Sequence, residues 1–292
     1  MSRTAVGIVG TGLMGSAIAK RLLSKGYTLT VYNRTRSKAE VLMEYGATIA
    51  DTPRNVGESS DLVITVLKDA EALEHVVFCE DGLVYSGNRF TLADVSTINP
   101  FSSRAIASRL YEHGIVMLDT PVMGGPQLAE EGMLLVMVGG SKEHYERFKD
   151  VFYTIGSKVM YIGMNGSAHA LKLALNLQIA MIAEALSEGM LLSKAYGIDP
   201  MVFLEALNST YFKTGLSERK GPKMVRHEVE RSFALSMMLK DIATINDTAK
   251  RLNISLPMIS LLEQLYRQAS KMDLAEKDYT SIYEYLERMN RL

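Results

Sequence analysis

The chain has 292 residues, 47% of them hydrophobic and 22% charged, enough apolar material for one large or two ordinary packed domains and too much for a disordered chain. Its net charge of −1 and lack of a long basic block argue against a nucleic-acid binder, which needs clustered Lys and Arg to neutralise phosphates. Cys79 is the single cysteine, so an internal disulfide and a cysteine-rich zinc site are excluded.

The N-terminal MSRTAVGIVG runs directly into strand-like residues, so no secretory leader is expected there and a cytoplasmic protein is. Strand-like runs follow at 5–9, 28–33, 61–67, 90–96, 116–122, 134–140 and 158–163. Helical patterns separate the first five, at Leu13–Lys25, Ser37–Tyr45, Asp69–Phe78 and Asn99–His113. That alternation predicts βαβ units and a doubly wound, largely parallel sheet of the Rossmann type. No helical pattern is evident between 116–122 and 134–140, which predicts an antiparallel extension there. Near residue 165 the composition changes. Glycine and valine give way to leucine, methionine, alanine and glutamate in long periodic stretches at 167–196, 200–209, 233–252, 257–272 and 279–289. The expected organisation is an α/β dinucleotide-binding domain over 1–163 and an all-α substrate and oligomerisation domain over 164–292. The apolar run 171–192 raises the question of a membrane span. Lys172, Asn176, Gln178, Glu184 and Glu188 interrupt it, which favours a core helix.

GTGLMG (10–15) follows the first predicted strand and opens the first predicted helix, the context that gives G-x-G-x-x-G its meaning. Gly10 permits the tight turn, Gly12 allows close approach of a pyrophosphate, and Gly15 allows close helix–strand packing. The helix N-terminus then offers N–H groups and a positive dipole end to the phosphates. The second strand ends VYNRT (31–35), with no carboxylate to hold a ribose 2′-hydroxyl. Asn33 stands there, and Arg34 can pair with a 2′-phosphate, so NADP is favoured with NAD possible. Arg36 and Lys38 serve as well to solvate the next helix. Leu13, Met14, Thr35, Val66 and Leu67 complete the expected cofactor contacts on these turns.

SAHALKLALNLQIA (167–180) places polar residues in an apolar helix. His169, Lys172 and Asn176 fall in one stripe at i, i+3 and i+7. A lysine whose surroundings disfavour its charge serves as a general acid or base, and an amide one turn on holds a substrate oxygen beside it. The bland alternative, a snorkelling lysine beside a surface asparagine, is equally open on the helix alone.

Taken together, these segments resemble the β-hydroxyacid dehydrogenase family, the 3-hydroxyisobutyrate dehydrogenases and glyoxylate/succinic semialdehyde reductases among them. The resemblance spans essentially the whole chain. It rests on GIVGTGLMGSAIAKRL with VYNRT, DVSTINP (94–100), DTPVMGG (119–125) followed by AEEGML (129–134), the lysine helix 166–176 and LKDI (239–242). It implies that Lys172 is the catalytic lysine and Asn176 its companion, that Thr97 lies near nicotinamide and substrate, and that Lys240 reaches the cofactor. It implies that the backbone N–H groups of Gly124 and Gly125 hold a substrate carboxylate and that Phe233 lies beside the nicotinamide. The resemblance also implies a 6-phosphogluconate dehydrogenase-like helical domain and a homodimer or homotetramer. Two departures stand out. Met123 replaces a usual serine in the substrate loop, and Leu175 precedes Asn176 where a second asparagine is common.

The implied reaction is reversible hydride transfer between NADP(H) and a small 3-hydroxy acid or its semialdehyde, with Lys172 exchanging the oxygen's proton. An imine reductase on the same scaffold and a non-catalytic NADP-binding module are the alternatives. Retention of Lys172 argues against both. Asp94, Asp119 and Asp241 are read as a strand-end cap, a backbone-bonded strand end and a surface helix pairing. His169 is weighed mainly as structural. The remaining histidines show no metal-ligand spacing, and no catalytic metal, nucleic acid or membrane partner is expected. The substrate stays open among 3-hydroxyisobutyrate, L-serine, 3-hydroxypropionate, D-glycerate, glyoxylate and succinic semialdehyde.

Overall fold

The computed structural model describes residues 4–292. The chain divides into two compact units, Met1–Lys172 and Leu173–Leu292.

The first unit holds a nine-stranded sheet: β1 (Val6–Val9), β2 (Leu29–Tyr32), β3 (Thr48–Ile49), β4 (Leu62–Thr65), β5 (Thr91–Asp94), β6 (Val116–Asp119), β7 (Val122–Met123), β8 (Leu134–Gly140) and β9 (Gly156–Gly163). The order is β3-β2-β1-β4-β5-β6-β8-β7, with β9 on β8. Strands β1 to β6 pair parallel. The order reverses between β1 and β4, and such a switch point is where open α/β sheets leave a crevice at the strands' carboxyl ends. Strand β8 runs antiparallel to β6 and β7, as expected from the sequence, and β9 pairs parallel to β8.

Alternation along the strands supplies both faces of the sheet. Val6, Ile8, Leu62 and Ile64 enter one core, while Val9, Val63, Leu92 and Met117 enter the other. Helix starts are set by side chains that satisfy free N–H groups. Asp69, Asn99 and Ser141 cap the helices Ala70–Phe78, Pro100–Glu112 and Lys142–Ile155.

The structure corrects the reading of the 116–140 stretch. A short helix, Pro126–Glu131, does lie between β6 and β8, begun by Pro126 in its first turn and ended by Gly132 at φ 74. Pro inside the start and Gly past the end are ordinary helix punctuation, but six residues show too little periodicity to register. Strand β3 and the helix Pro53–Glu58 were also not anticipated.

The second unit is all helical. The helices Pro200–Asn208, Leu235–Arg251, Pro257–Ala269 and Ile282–Asn290 account for most of it, with the C-terminal part of the long helix Ser167–Ala195. By length and composition the long helix passes as a membrane span. Within the second unit, however, its Leu173, Ala180 and Ala183 join one buried cluster and its Leu186 and Met190 another, as a core helix does.

Candidate active site

In the first unit, the turn after β1 is built by its glycines. Gly10 has φ +100, and a Cβ there would lie 2.3 Å from the Val66 carbonyl oxygen. A Cβ at Gly15 would lie 1.9 Å from the Gly10 carbonyl oxygen, so only glycine lets the helix Leu13–Ser24 start this close to the strand. A Cβ at Gly12 would meet nothing within 4 Å, so the turn is open on that side. Gly12 is also the helix N-cap, with no side-chain bond to the first-turn N–H groups. Those N–H groups and the dipole end suit a pyrophosphate. Thr11 Oγ1 in the same turn is buried without a hydrogen-bond partner, a polar atom left over from the protein's own bonding. These features fit a dinucleotide.

Asn33, at the end of β2, ties this turn down. Its Oδ1 accepts from Thr11 N at 3.0 Å, and its Nδ2 donates to the Thr35 carbonyl at 2.9 Å. Arg34 and Thr35 are exposed beside it, as are Gly12 and Leu13. Met14, Val66 and Leu67 are half-buried against the sheet's two cores. Leu67 N donates to Ser96 Oγ at 2.9 Å, which links the β4 loop to the β5 loop one residue before half-buried Thr97.

Gly124 and Gly125 follow β7. Gly124 has φ +128, and a Cβ there would sit 2.7 Å from Leu134 Cδ2. Gly125 is open and precedes Pro126, so its own N–H lies just outside a helix start. Half-buried Met123 turns its thioether to Lys172, whose Nζ lies 2.9 Å from Met123 Sδ. The lysine foreseen as catalytic therefore stands against the loop foreseen to bind substrate, within one unit. A thioether is a weak acceptor, so this contact alone holds the ammonium less firmly than an oxygen would.

One turn before Lys172 on the long helix, His169 is fully buried, with Nε2 3.5 Å from Asp94 Oδ2 and 3.8 Å from Asp119 Oδ1. The expectation for Asp119 is corrected. Besides the Gly166 N–H it accepts from two side chains, Ser103 Oγ at 2.6 Å and Asn165 Nδ2 at 3.2 Å. Asp94 is bonded at a strand end as read, but it is wholly buried and its neighbour is His169.

In the second unit, Asn176 is buried and its Nδ2 donates to Asp241 Oδ2 at 2.6 Å. Lys240 Nζ lies 2.8 Å from Asp241 Oδ1. Asp241 is thus no surface residue: at 1% exposure it joins Asn176 and Lys240, two of the residues singled out in this unit. Nothing in the sequence signals the pairing, because Asn176 and Asp241 are 65 residues apart. Phe233 is half-buried, edge-on to Tyr279 with ring centroids 6.3 Å apart. Its N–H and that of Ser232 donate to buried Asp278, which Lys220 neutralises at 2.8 Å. Among the described residues no group of three or more His, Cys, Asp or Glu is placed to hold a metal ion.

A doubly wound sheet with this glycine turn and a lysine against a glycine loop defines a nicotinamide-dependent oxidoreductase. Residues 5–163 match the family described as the NAD binding domain of 6-phosphogluconate dehydrogenase. Residues 166–286 match the family described as NAD-binding of NADP-dependent 3-hydroxyisobutyrate dehydrogenase. The chain is similar to glyoxylate/succinic semialdehyde reductase 2 of Arabidopsis thaliana, with 30% identity over 98% of this chain and 80% of that protein. It is similar to 2-hydroxy-3-oxopropionate reductase of Escherichia coli, with 30% identity over 97% of each. Its fold is like that of a 3-hydroxyisobutyrate dehydrogenase from Salmonella typhimurium, with TM-score 0.87 and 26% identity over 96% of this chain and 99% of that one. The chain belongs to the β-hydroxyacid dehydrogenase family and is a dehydrogenase that uses a nicotinamide cofactor.

Proposed function

We propose that the protein transfers hydride reversibly between NADP(H) and a small 3-hydroxy acid or its semialdehyde, with Lys172 as general acid and base. The observation that carries this reading is the Lys172 ammonium at 2.9 Å from Met123, next to Gly124 and Gly125. When bound, the nicotinamide supplies or accepts the hydride. In reduction, Lys172 stabilises the negative charge growing on the carbonyl oxygen and delivers its proton there. In oxidation its neutral amine takes the hydroxyl proton. The N–H groups at Gly124 and Gly125 are assigned the substrate carboxylate, which fixes where the reacting carbon stands. Asn176 is assigned the reacting oxygen, and Thr97 and Phe233 the nicotinamide side. Lys240 is assigned the cofactor; Asp241 orients both Lys240 and Asn176.

The preference for NADP is supported by exposed Arg34 and by the absence of a carboxylate at Asn33, which is occupied in bracing the glycine turn. Gly10, Gly12 and Gly15 shape the pyrophosphate turn, with Leu13, Met14, Thr35, Val66 and Leu67 around it. Met123 offers an apolar, adaptable wall where a hydroxyl is usual, which favours substrates with a methyl or methylene there.

We also propose a homodimer or homotetramer working in the cytoplasm. The helical unit leaves Leu252, Ile254, Met258 and Leu261 more than half exposed, close together in sequence, apolar side chains that a partner chain would cover.

A rate panel tests the function. The six acids and semialdehydes named above, with cyclic imines as a control class, are assayed with NADP(H) and NAD(H) in parallel. Turnover of one of the acids or semialdehydes, faster with NADP(H), is expected. Turnover of imines alone, or tight NADPH binding with no turnover of any compound, contradicts it.

A further inference from the structure

We infer that His169 and Asp94 form a buried positioning pair that holds the start of the long helix to the end of β5 and so keeps Lys172 and Thr97 in register. The inference rests on the roles proposed for those two residues, and it concerns the first unit alone.

Both side chains are at 0% exposure. The two oxygens of Asp94 have different surroundings. Oδ1 accepts from Thr65 Oγ1 at 2.8 Å, Ser96 Oγ at 2.6 Å and Ser96 N at 3.3 Å. Oδ2 has no hydrogen-bond partner, and what faces it is His169 Nε2 at 3.5 Å. Neither ring nitrogen of His169 has a hydrogen-bond partner. Asp119, the other carboxylate near the ring, is already served by Ser103, Asn165 and the Gly166 N–H at the head of the helix. Imidazole and Asp94 Oδ2 are therefore each other's remaining partner. Burial pushes the Asp94 carboxyl up, while the His169 charge and the Ser96 and Thr65 hydroxyls pull against it.

Such a pair is a costly way to fill a core. Taking polar, ionisable groups out of water is unfavourable, and apolar residues of the same size often do as well or better. The fold gives the pair a use that an apolar contact lacks. Asp94 ends β5 three residues before Thr97, and Ser96, which it grips, also fixes Leu67. His169 lies one helical turn before Lys172 and presents to the same side of the helix. An apolar contact can slide, whereas a polar contact between fixed, buried atoms sets the rotation and height of the helix. A misplacement of about 1 Å costs a reacting group about 100-fold.

The experiment uses the full chain with His169→Leu, His169→Gln and Asp94→Asn. Steady-state turnover is measured with the substrate from the rate panel. In parallel, the rate at which trinitrobenzenesulfonate labels Lys172 is followed by mass spectrometry of its peptide. For His169→Leu a fall in kcat of about 10–100-fold is expected, with KM and NADPH affinity within about threefold. The Lys172 labelling rate is expected to shift at least about threefold, and His169→Gln, which keeps an N–H for Asp94, to recover most of both. Should His169→Leu not fold, Asp94→Asn against His169→Gln gives the same comparison, with the fall in Asp94→Asn. Wild-type kcat and labelling in the folded variants, with only the melting temperature lowered, overturn the inference. Absent turnover in the wild type sinks the reading of Lys172 instead, and the labelling then still decides the register.

Discussion

At the scale of single residues, the site turns on how each polar group is occupied. The Lys172 ammonium lies 2.9 Å from the Met123 thioether, a weak acceptor in the loop assigned to the substrate. Asn33 spends its oxygen on Thr11 N and its amide on Thr35, and the proposed NADP preference gives the 2′-phosphate of a bound ribose to Arg34. A charge-assisted bond to a phosphate is worth about 1.5–3 kcal/mol, so Arg34→Ala is expected to lower kcat/KM for NADPH about 10–100-fold and to leave NADH nearly unchanged. Equal losses with both cofactors would mean that Arg34 serves the turn and not the 2′-phosphate. Residue types at the site were legible in sequence wherever a local spacing encodes them. The glycines of 10–15 and the 169–172–176 stripe are of this kind. Partners across the chain were not. Asp241 reads as a surface helix residue until the fold brings Asn176 to it, and Thr11, at a motif position open to any residue, gives no sign that its hydroxyl is left over.

At the scale of elements, the long helix combines the requirements of a core with those of a site. Glu184 lies in its buried stretch, and neither carboxyl oxygen has a partner. Burial pushes the Glu184 carboxyl up to about 7, and the charge of Glu188 adds to this. The folded form then favours the protonated acid more than the unfolded chain does. Its stability is highest below the ordinary glutamate value, falls as pH rises toward 7, and levels off above. The gap from 4.5 to about 7 corresponds to about 3 kcal/mol once both states are ionised. Glu184→Gln is therefore expected to gain stability relative to wild type between pH 5 and pH 8, by about 2 kcal/mol in denaturant unfolding. A difference between variant and wild type that does not change with pH contradicts the buried, unpartnered acid. The elements that the sequence announces are those with enough length to repeat a period. Strand β3, with two residues, and the helix Pro126–Glu131, with six, have no period to read, and only the Pro and Gly at the helix ends betray it.

At the scale of the whole molecule, the α/β character of the first half and the helical character of the second follow from the change of composition near residue 165. The two family matches, over 5–163 and 166–286, meet in the same place. The structural division falls slightly later, at Lys172 and Leu173, because the first turns of the long helix pack with the sheet through His169, Asp94 and Asp119. The apolar side chains on the helical unit lead to an expected mass of two or four chains by light scattering at micromolar concentration; a single-chain mass contradicts the proposed oligomer. The central claim is that the Lys172 amine handles the proton of the reacting oxygen. Single-turnover oxidation of NADPH by Lys172→Ala, followed at 340 nm with the preferred semialdehyde, tests it most directly. A rate at least about 100-fold below wild type, with NADPH affinity preserved, is predicted. Hydride transfer at the wild-type rate would contradict the account.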